Sequence, residues 1–499
     1  MAYVPHNWQD GELITQDSLN DMENGIFKNS NSNVISVDNY EREAIENTDD
    51  GMLQRIFDSA LDNSVIIFQN KKEYIVTTGI LIKDKTNLKV IGNNSKVSFS
   101  GDNDNVFAFQ YSGSVDKLDI SGFTISGLNT NGKKTAFGGL SGNNLTNSMI
   151  HHLIIDSVNV GISLNADLGG IVENNKVYLN RITNILGSES GNGYGIHMAY
   201  GNFTHIFGNY LENVGRHSVY VAEGNDIDIY NNTIKNHRIA NPTNQYRPAI
   251  NITRKSVNIR VTNNEFLNVR DSCLQIGNQN EKGNMENVVV SGNLFKDWDG
   301  IPAIRIGADT TSVDPYNGYN ITVENNTFVT SSIQTAITTN MGIGVNILGN
   351  KIRYTNPTNR INVIVVSPTI TGALDDVIIK RNIISIAQGD ETSQARGITF
   401  QELASSGNIR IEANDNVFNN LFSDSGKNYF DYFSPVAITN PNLNYISNRV
   451  IIKKVSAPTT GYHEAGEIAY SSYPSSTKNV GWVCTVAGAP GTWVAFGTF

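Results

Sequence analysis

An asparagine-centred pattern returns from Asn175 to Asn448, and it restricts the chain to folds made of stacked coils. The fullest copies read Ile227-x-Ile229-x-x-Asn232-x-Ile234, Ile259-x-Val261-x-x-Asn264-x-Phe266, Val288-x-Val290-x-x-Asn293-x-Phe295 and Ile321-x-Val323-x-x-Asn326-x-Phe328. Shorter copies centre on Asn175, Asn209, Asn350, Asn382, Asn416 and Asn448. Successive asparagines stand roughly 23 to 34 residues apart, within the range of repeat architectures. One such unit has an apolar face that it cannot bury alone, so neighbouring units must stack into a solenoid.

The runs between punctuating Gly, Asn, Asp and Ser are short, alternating and rich in Ile, Val and Phe, which is strand chemistry. A leucine-rich repeat would want Leu at its consensus sites and a steadier period. The sequence therefore predicts an all-β, right-handed parallel β-helix, whose coils stack at about 4.8 Å with equivalent side chains in register. Stacked asparagines at a tight turn can hydrogen-bond along the ladder, so they are structural in this reading. The longer coils must extrude loops, most clearly 235–246 and 308–319, and such loops wall a groove on one face.

The chain has 499 residues, a formal net charge of −10 and 17% charged residues, the composition of a globular protein. No apolar run approaches a transmembrane length, so no membrane insertion is expected. The opening MAYVPHNWQDGE lacks the basic and apolar regions of a signal peptide. Cys273 and Cys484 are read as small buried apolar residues, with no disulfide or zinc framework. The acidic balance without basic clusters argues against nucleic acid as a partner.

Three regions follow. Residues 1–35 read as an attachment and oligomerisation segment, with Leu19, Met22 and Ile26 at helical spacing across 13–28. Residues 36–454 read as the β-helix. A capping helix near 50–61 puts Leu53, Ile56, Phe57, Ala60 and Leu61 on one stripe over the open end. Residues 455–499, rich in Gly, Pro, Tyr and Trp, read as a small C-terminal β-module.

Thr48-Asp49-Asp50, the helix after it, Val65–Phe68, Tyr74-Ile75-Val76 and Asn87–Gly92 resemble the entry segment of the pectate-lyase-like superfamily. Trp8-x-Asp10-Gly11-Glu12-x-Ile14-Thr15 and Leu19-Asn20-x-Met22-Glu23-x-Gly25-Ile26 resemble the start of tail proteins from phages of low-GC Gram-positive bacteria. Gly481-Trp482-Val483-Cys484 with Pro490-Gly491-Thr492-Trp493 is similar to a C-terminal module of phage tailspikes. The resemblance implies a virion tailspike or receptor-binding depolymerase, a homotrimer held to tail or baseplate proteins through its N-terminus. Its target would be a bacterial cell-surface polysaccharide or teichoic acid, met outside the cell. No cofactor is implied, and calcium is not indicated. The superfamily's hydrolase signature is absent: Asp375-Asp376 has no Gly-His-Gly on a following coil. Lys255-Ser256 resembles the lysine strand of alginate and chondroitin lyases, but Asn278 and Gln279 stand where those carry an arginine.

Candidate site residues come from stacking the coils. Aligning Ile162, Ile196, Val219, Ile250, Leu274 and Ile304 as inward anchors makes the next residue point outward on each rung. That column reads Ser163, His197, Tyr220, Asn251, Gln275, Arg305. Four past the anchor come Tyr200, Glu223 and Arg254, beside Lys255; three before it come Arg216, Arg247 and Asp271, with His217 adjacent and Tyr246 closing a loop. His197, Tyr220, Arg247 and Glu223 are the expected catalytic residues. Tyr200, Arg216, His217, Tyr246, Asn251, Arg254, Lys255 and Asp271 are the expected substrate-binding residues.

Imidazole and phenol on neighbouring rungs could serve as base and acid. Guanidinium groups grip a carboxylate or phosphate in bidentate fashion, and neutralising a uronate carboxylate makes its α-proton removable. This combination favours β-elimination of an anionic glycan. Hydrolysis would need two carboxylates about 5 to 9.5 Å apart, with Glu223 and Asp271 as the available pair. Phosphodiester cleavage and simple adhesion use the same groups.

Overall fold

The computed structural model describes residues 33–127, 132–140, 142–166, 169–187, 192–238, 247–277, 284–299, 302–307, 318–331, 334–355, 361–367, 374–386, 395–401, 411–419, 430–433, 443–444, 449–454, 457, 459, 465–466, 468–471, 479–488 and 491–498. The expected helix across 13–28 lies outside them, as do Tyr246, Asn448 and most of the expected loops 235–246 and 308–319. The chain divides into two compact units at Asn209/Tyr210. Both are built from coils of a right-handed parallel β-helix.

In the first unit, strands Gly79–Lys83, Val106–Ser112, Lys134–Gly139, Val160–Asn165 and Tyr194–Ala199 form one parallel ladder. Its register stacks Phe137, Ile162 and Ile196, matching the anchors chosen from the sequence. An α-helix, Asp50–Ser59, packs on the first coils. Its Asp50 carboxylate accepts the N–H groups of Thr77, Thr78 and Gly79 at 2.8, 3.0 and 2.7 Å, so it sews the helix start to the next strand. Burial alone would raise the Asp50 carboxyl, but these bonds and those from the Thr48 and Thr77 hydroxyls hold it below the usual range. Met52, Leu53, Ile56 and Phe57 are buried, with Phe57 against Phe109. Leu61, expected on that stripe, is 67% exposed, because the helix stops at Ser59 and Ala60 is already extended.

In the second unit each coil supplies three strands. The first-strand ladder runs from His217–Ala222 through Ile250–Thr253, Leu274–Ile276, Ile304–Ile306 and Ile337–Thr339 to Ile361–Val366 and beyond. The second runs from Asn225–Tyr230 through Val257–Thr262 and Met285–Ser291, and the third from Thr233–Lys235 through Glu265–Val269 and Leu294–Trp298. Inward columns are pure hydrocarbon: Ile227, Ile259, Val288, Ile321, Val345 and Val377 are in register and fully buried. Phe266, Phe295 and Phe328 stack face to face at 4.8 and 4.6 Å between centroids.

The repeated asparagines form a buried ladder at the turn between second and third strands. Asn264 Nδ2 donates to Ile229 O at 2.8 Å one coil back, while its backbone N–H donates to Asn293 Oδ1 at 2.8 Å one coil on. The same bonds recur through Asn326, Asn350, Asn382 and Asn416. The residue before each ladder asparagine takes the left-handed conformation: Asn231, Asn263, Gly292, Asn325, Gly349, Arg381 and Asp415. Gly, Asn and Asp enter that region at least cost, which is why Asn-Asn and Gly-Asn pairs mark the corners. Near the C-terminus, Ile468–Ser471 pairs in parallel with Arg449–Lys454 and antiparallel with Asn479–Val486, which pairs with Thr492–Thr498.

Candidate functional site

The second unit carries an outward polar column on its first-strand ladder. Register stacks Tyr220 on Asn251, Asn251 on Gln275, Gln275 on Arg305 and Arg305 on Thr338. Rungs about 4.8 Å apart bring these side chains into van der Waals reach of their neighbours. Gln275 is 2% exposed although it points away from the core. Its Nε2 and the Oδ1 of Asn251 are both buried without a hydrogen-bond partner among the described residues. The two atoms are a donor and an acceptor on adjacent rungs.

Beside this column lie the guanidinium carriers. Arg216 and Arg247 are half-buried at the entrances of successive strands. Glu223 and Arg254 leave the strand ends in the left-handed conformation, at φ 53 and 60. They face each other across one coil step, Arg254 Nη1 to Glu223 Oε1 at 3.8 Å, each with 28% of its side chain exposed. The same conformation recurs at corners throughout the described residues. Lys255 follows, exposed.

Two expected binding residues are engaged by the protein itself. His217 is 2% exposed, and its Nδ1 lies 2.7 Å from the Pro248 carbonyl. Burial, with the nearby charges of Arg216, His237 and Arg247, keeps its imidazole well below the usual range, outweighing the Pro248 bond. His217 opens its strand, two residues before inward Val219, and its ring lies 5.3 Å from that of Tyr220. Asp271 is engaged by Arg238, a guanidinium buried to 1% side-chain exposure. Glu223 and Asp271 thus each face a guanidinium.

His197 and Tyr200 belong to the first unit. His197 is half-buried, with Nδ1 3.2 Å from Ser163 Oγ on the preceding rung and its ring 5.0 Å from that of Tyr194. Tyr200 is half-buried at φ 58.

Sequence reasoning missed two groups. In the first unit, Asp119 Oδ1 meets His151 Nε2 at 2.8 Å, and the Nδ1 atoms of His151 and His152 lie 2.7 Å apart. His151 stacks on Tyr178 and Tyr178 on Phe207, at 4.6 and 4.9 Å. In the second unit, His237 is fully buried between Ser218 and Arg247. The signal for the first was the column Ser121, His151, Tyr178, Phe207 on a ladder that the single-column alignment did not follow. Among the described residues, no group of three His, Cys, Asp or Glu is placed to hold a metal ion, and no helix is long and apolar enough to cross a membrane.

The fold and this column define a class, parallel β-helix proteins that present a polar strip on one ladder. No protein-family model matches the chain, and no curated protein matches it. Among solved structures, it is similar to the A-module of the mannuronan C-5 epimerase AlgE6 of Azotobacter vinelandii, at 13% identity and a TM-score of 0.48 over 83% of this chain and 99% of that one. It is similar to the Dettilon tailspike protein, at 13% identity and a TM-score of 0.44 over 88% of this chain and 74% of that one. An alginate lyase from Paenibacillus sp. gives 12% identity and a TM-score of 0.40 over 59% of this chain and 94% of that one.

Proposed function

We propose that this protein is a phage tail depolymerase that binds and cleaves an anionic bacterial cell-surface polysaccharide, by β-elimination ahead of hydrolysis. The observation that carries the reading is the unpartnered pair Asn251 Oδ1 and Gln275 Nε2, set between Tyr220 and Arg305. A sugar hydroxyl both donates and accepts, so neighbouring hydroxyls of one ring satisfy an amide oxygen and an amide N–H together. Arg216 and Arg247 add guanidiniums for a uronate carboxylate. Tyr220 supplies the proton-transferring oxygen in the column, and His197 stands at the equivalent position of its own coil. The resemblance of both chain ends to phage tail proteins supports the virion setting and attachment through residues 1–35. A homotrimer follows from the same resemblance.

A second reading is a receptor-binding spike without catalysis. The Glu223–Arg254 and Asp271–Arg238 pairs favour it, because they leave the face short of acids and bases with separate roles. The test is to incubate the protein with extracted host-surface polysaccharide and follow chain length together with the ultraviolet absorbance of an unsaturated uronate. Shortening with absorbance supports elimination; shortening without it moves the reading to hydrolysis or phosphodiester cleavage. Adsorption at constant chain length leaves only adhesion. Arg247→Ala and Tyr220→Phe should each lower turnover by about a hundredfold, the usual scale for losing one charge-stabilising or proton-transferring group. Full activity in both variants would mean that another face does the chemistry.

A further inference from the structure

We propose that buried His237 is a positioning residue, a clasp that sets the backbone carrying Arg216 and Arg247 against the strand carrying Tyr220. The inference rests on the reading of that face as the glycan site and adds a residue that touches no substrate.

The third strand of this coil, Thr233–Lys235, ends two residues before His237. The main chain there is fixed by the ladder: Asn236 N–H donates to Leu267 O, Arg238 N–H to Val214 O and Arg270 N–H to His237 O, at 3.0, 3.1 and 3.3 Å. A ring held this firmly is fully buried, and both of its nitrogens are used. Nδ1 lies 3.2 Å from Ser218 Oγ, two residues before Tyr220 on the same strand and on the same side of it. Nε2 lies 2.9 Å from the Arg247 carbonyl, to which the neutral ring donates, leaving Nδ1 to accept from the Ser218 hydroxyl. One imidazole therefore joins the entrances of two successive first strands.

A neighbouring bond shows the same logic with a different donor. Arg247 is followed by Pro248-Ala249, a strand entrance where proline offers no N–H, and the Pro248 carbonyl is taken by His217 of the coil before. Two coils on, the Pro302 carbonyl of Ile301-Pro302-Ala303 is taken by Ser272. The Arg247 entrance has a second bond in addition, from His237. Extra restraint at an entrance that carries a candidate glycan-binding guanidinium is what pre-organising that group requires. Burial holds the His237 ring neutral, consistent with a pure hydrogen-bonding part.

The test uses the full chain and the arginine reagent phenylglyoxal, with peptide mapping to give the modification rate at Arg247 and at Arg260 as internal reference. In His237→Gly the Arg247 rate should rise about fivefold relative to Arg260, as local opening of a strand entrance allows, and added imidazole should bring it back to within about twofold of the original. Ser218→Ala, which keeps the ring and deletes one of its bonds, should give a smaller rise; it decides the matter if His237→Gly does not fold. An unchanged Arg247 rate in the folded variants, or a raised rate that imidazole does not restore, overturns the clasp. In the polysaccharide assay the same variants should lose activity mainly in kcat/KM, restored in part by imidazole. Failure of the unmodified protein to shorten polymer sinks the function while leaving the phenylglyoxal result to judge the clasp alone.

Discussion

Gln275 stands in a position where stability and binding pull in opposite directions. Its amide nitrogen is buried and unpartnered among the described residues, which costs the fold on the order of 1–3 kcal/mol. Replacing it by leucine of similar volume removes the unsatisfied donor and keeps the packing. Gln275→Leu should therefore raise the denaturant midpoint at unchanged slope, by about 1 kcal/mol, while weakening binding of host-surface polysaccharide about tenfold. A residue with only a structural part would lose stability on this change. His237 makes a second residue-scale prediction, on pH. Burial, reinforced by the Arg238 charge, pushes its imidazole down to about 3, far below the 6.5 of an exposed histidine. Between those values the unfolded chain binds the proton and the folded chain does not, so stability is full above about pH 6.5 and falls as pH drops toward 3. The slope should be about 1.4 kcal/mol per pH unit for each such histidine, and His217, also pushed down by burial, adds to it. Denaturation curves between about pH 6 and 5, where few carboxylates titrate, should show His237→Gln flatter than the original by about one proton; equal slopes would show that the ring is already charged in the fold.

The asparagine ladder is the element on which the coils depend. Asn293 Oδ1 accepts from Asn264 N–H at 2.8 Å and its Nδ2 donates to Val261 O at 2.8 Å, all within the buried corner. Asn293→Ala orphans a donor and an acceptor at once, at about 1–3 kcal/mol each, so the domain should lose about 3 kcal/mol or more in chemical denaturation. The same change at exposed Asn263, which supplies only a left-handed corner, should cost about 1 kcal/mol. This element was legible in the sequence because a buried ladder needs the same residue type at the same place in every coil. The inward anchors from Ile162 to Ile196 and from Val219 to Ile304 were legible for the same reason, since alternation along a strand leaves one choice of face. Corners broke that logic. Asp271 precedes its strand, Leu274–Ile276, where no period of two applies, and its side chain went to Arg238, whereas His217, two residues before inward Val219, meets the Pro248 carbonyl as an inward residue satisfied by backbone. His237 was invisible because its partners, Ser218 and Arg247, are distant in sequence and polar for reasons that no periodicity records. The stacked His151, Tyr178 and Phe207 lay on a ladder whose spacing from the asparagine motif was not followed.

At the scale of the whole molecule, charge sets how a polyanion would arrive. The chain carries a formal net charge of −10, so its far field repels an anionic glycan even though Arg216, Arg247, Arg254 and Arg305 gather on one ladder of the second unit. The two effects have different ranges. At about 10 mM salt the Debye length is about 30 Å and the net charge is felt across the approach; at about 0.1 M it is about 10 Å and only the local arginines count. Association of anionic host polysaccharide should therefore speed up as salt rises over that interval, opposite to the usual behaviour of a basic protein. Beyond it, contacts at the face itself become screened and the dissociation rate should climb. Stopped-flow association measured from 10 mM to 0.5 M salt checks this, with a neutral dextran as control that should show no trend. Arg247→Ala should leave the low-salt acceleration in place and flatten the high-salt loss, because it removes a contact without changing the sign of the far field. A rate that falls steadily from the lowest salt upward would mean that the arginine ladder, and not the −10 total, dominates at every distance.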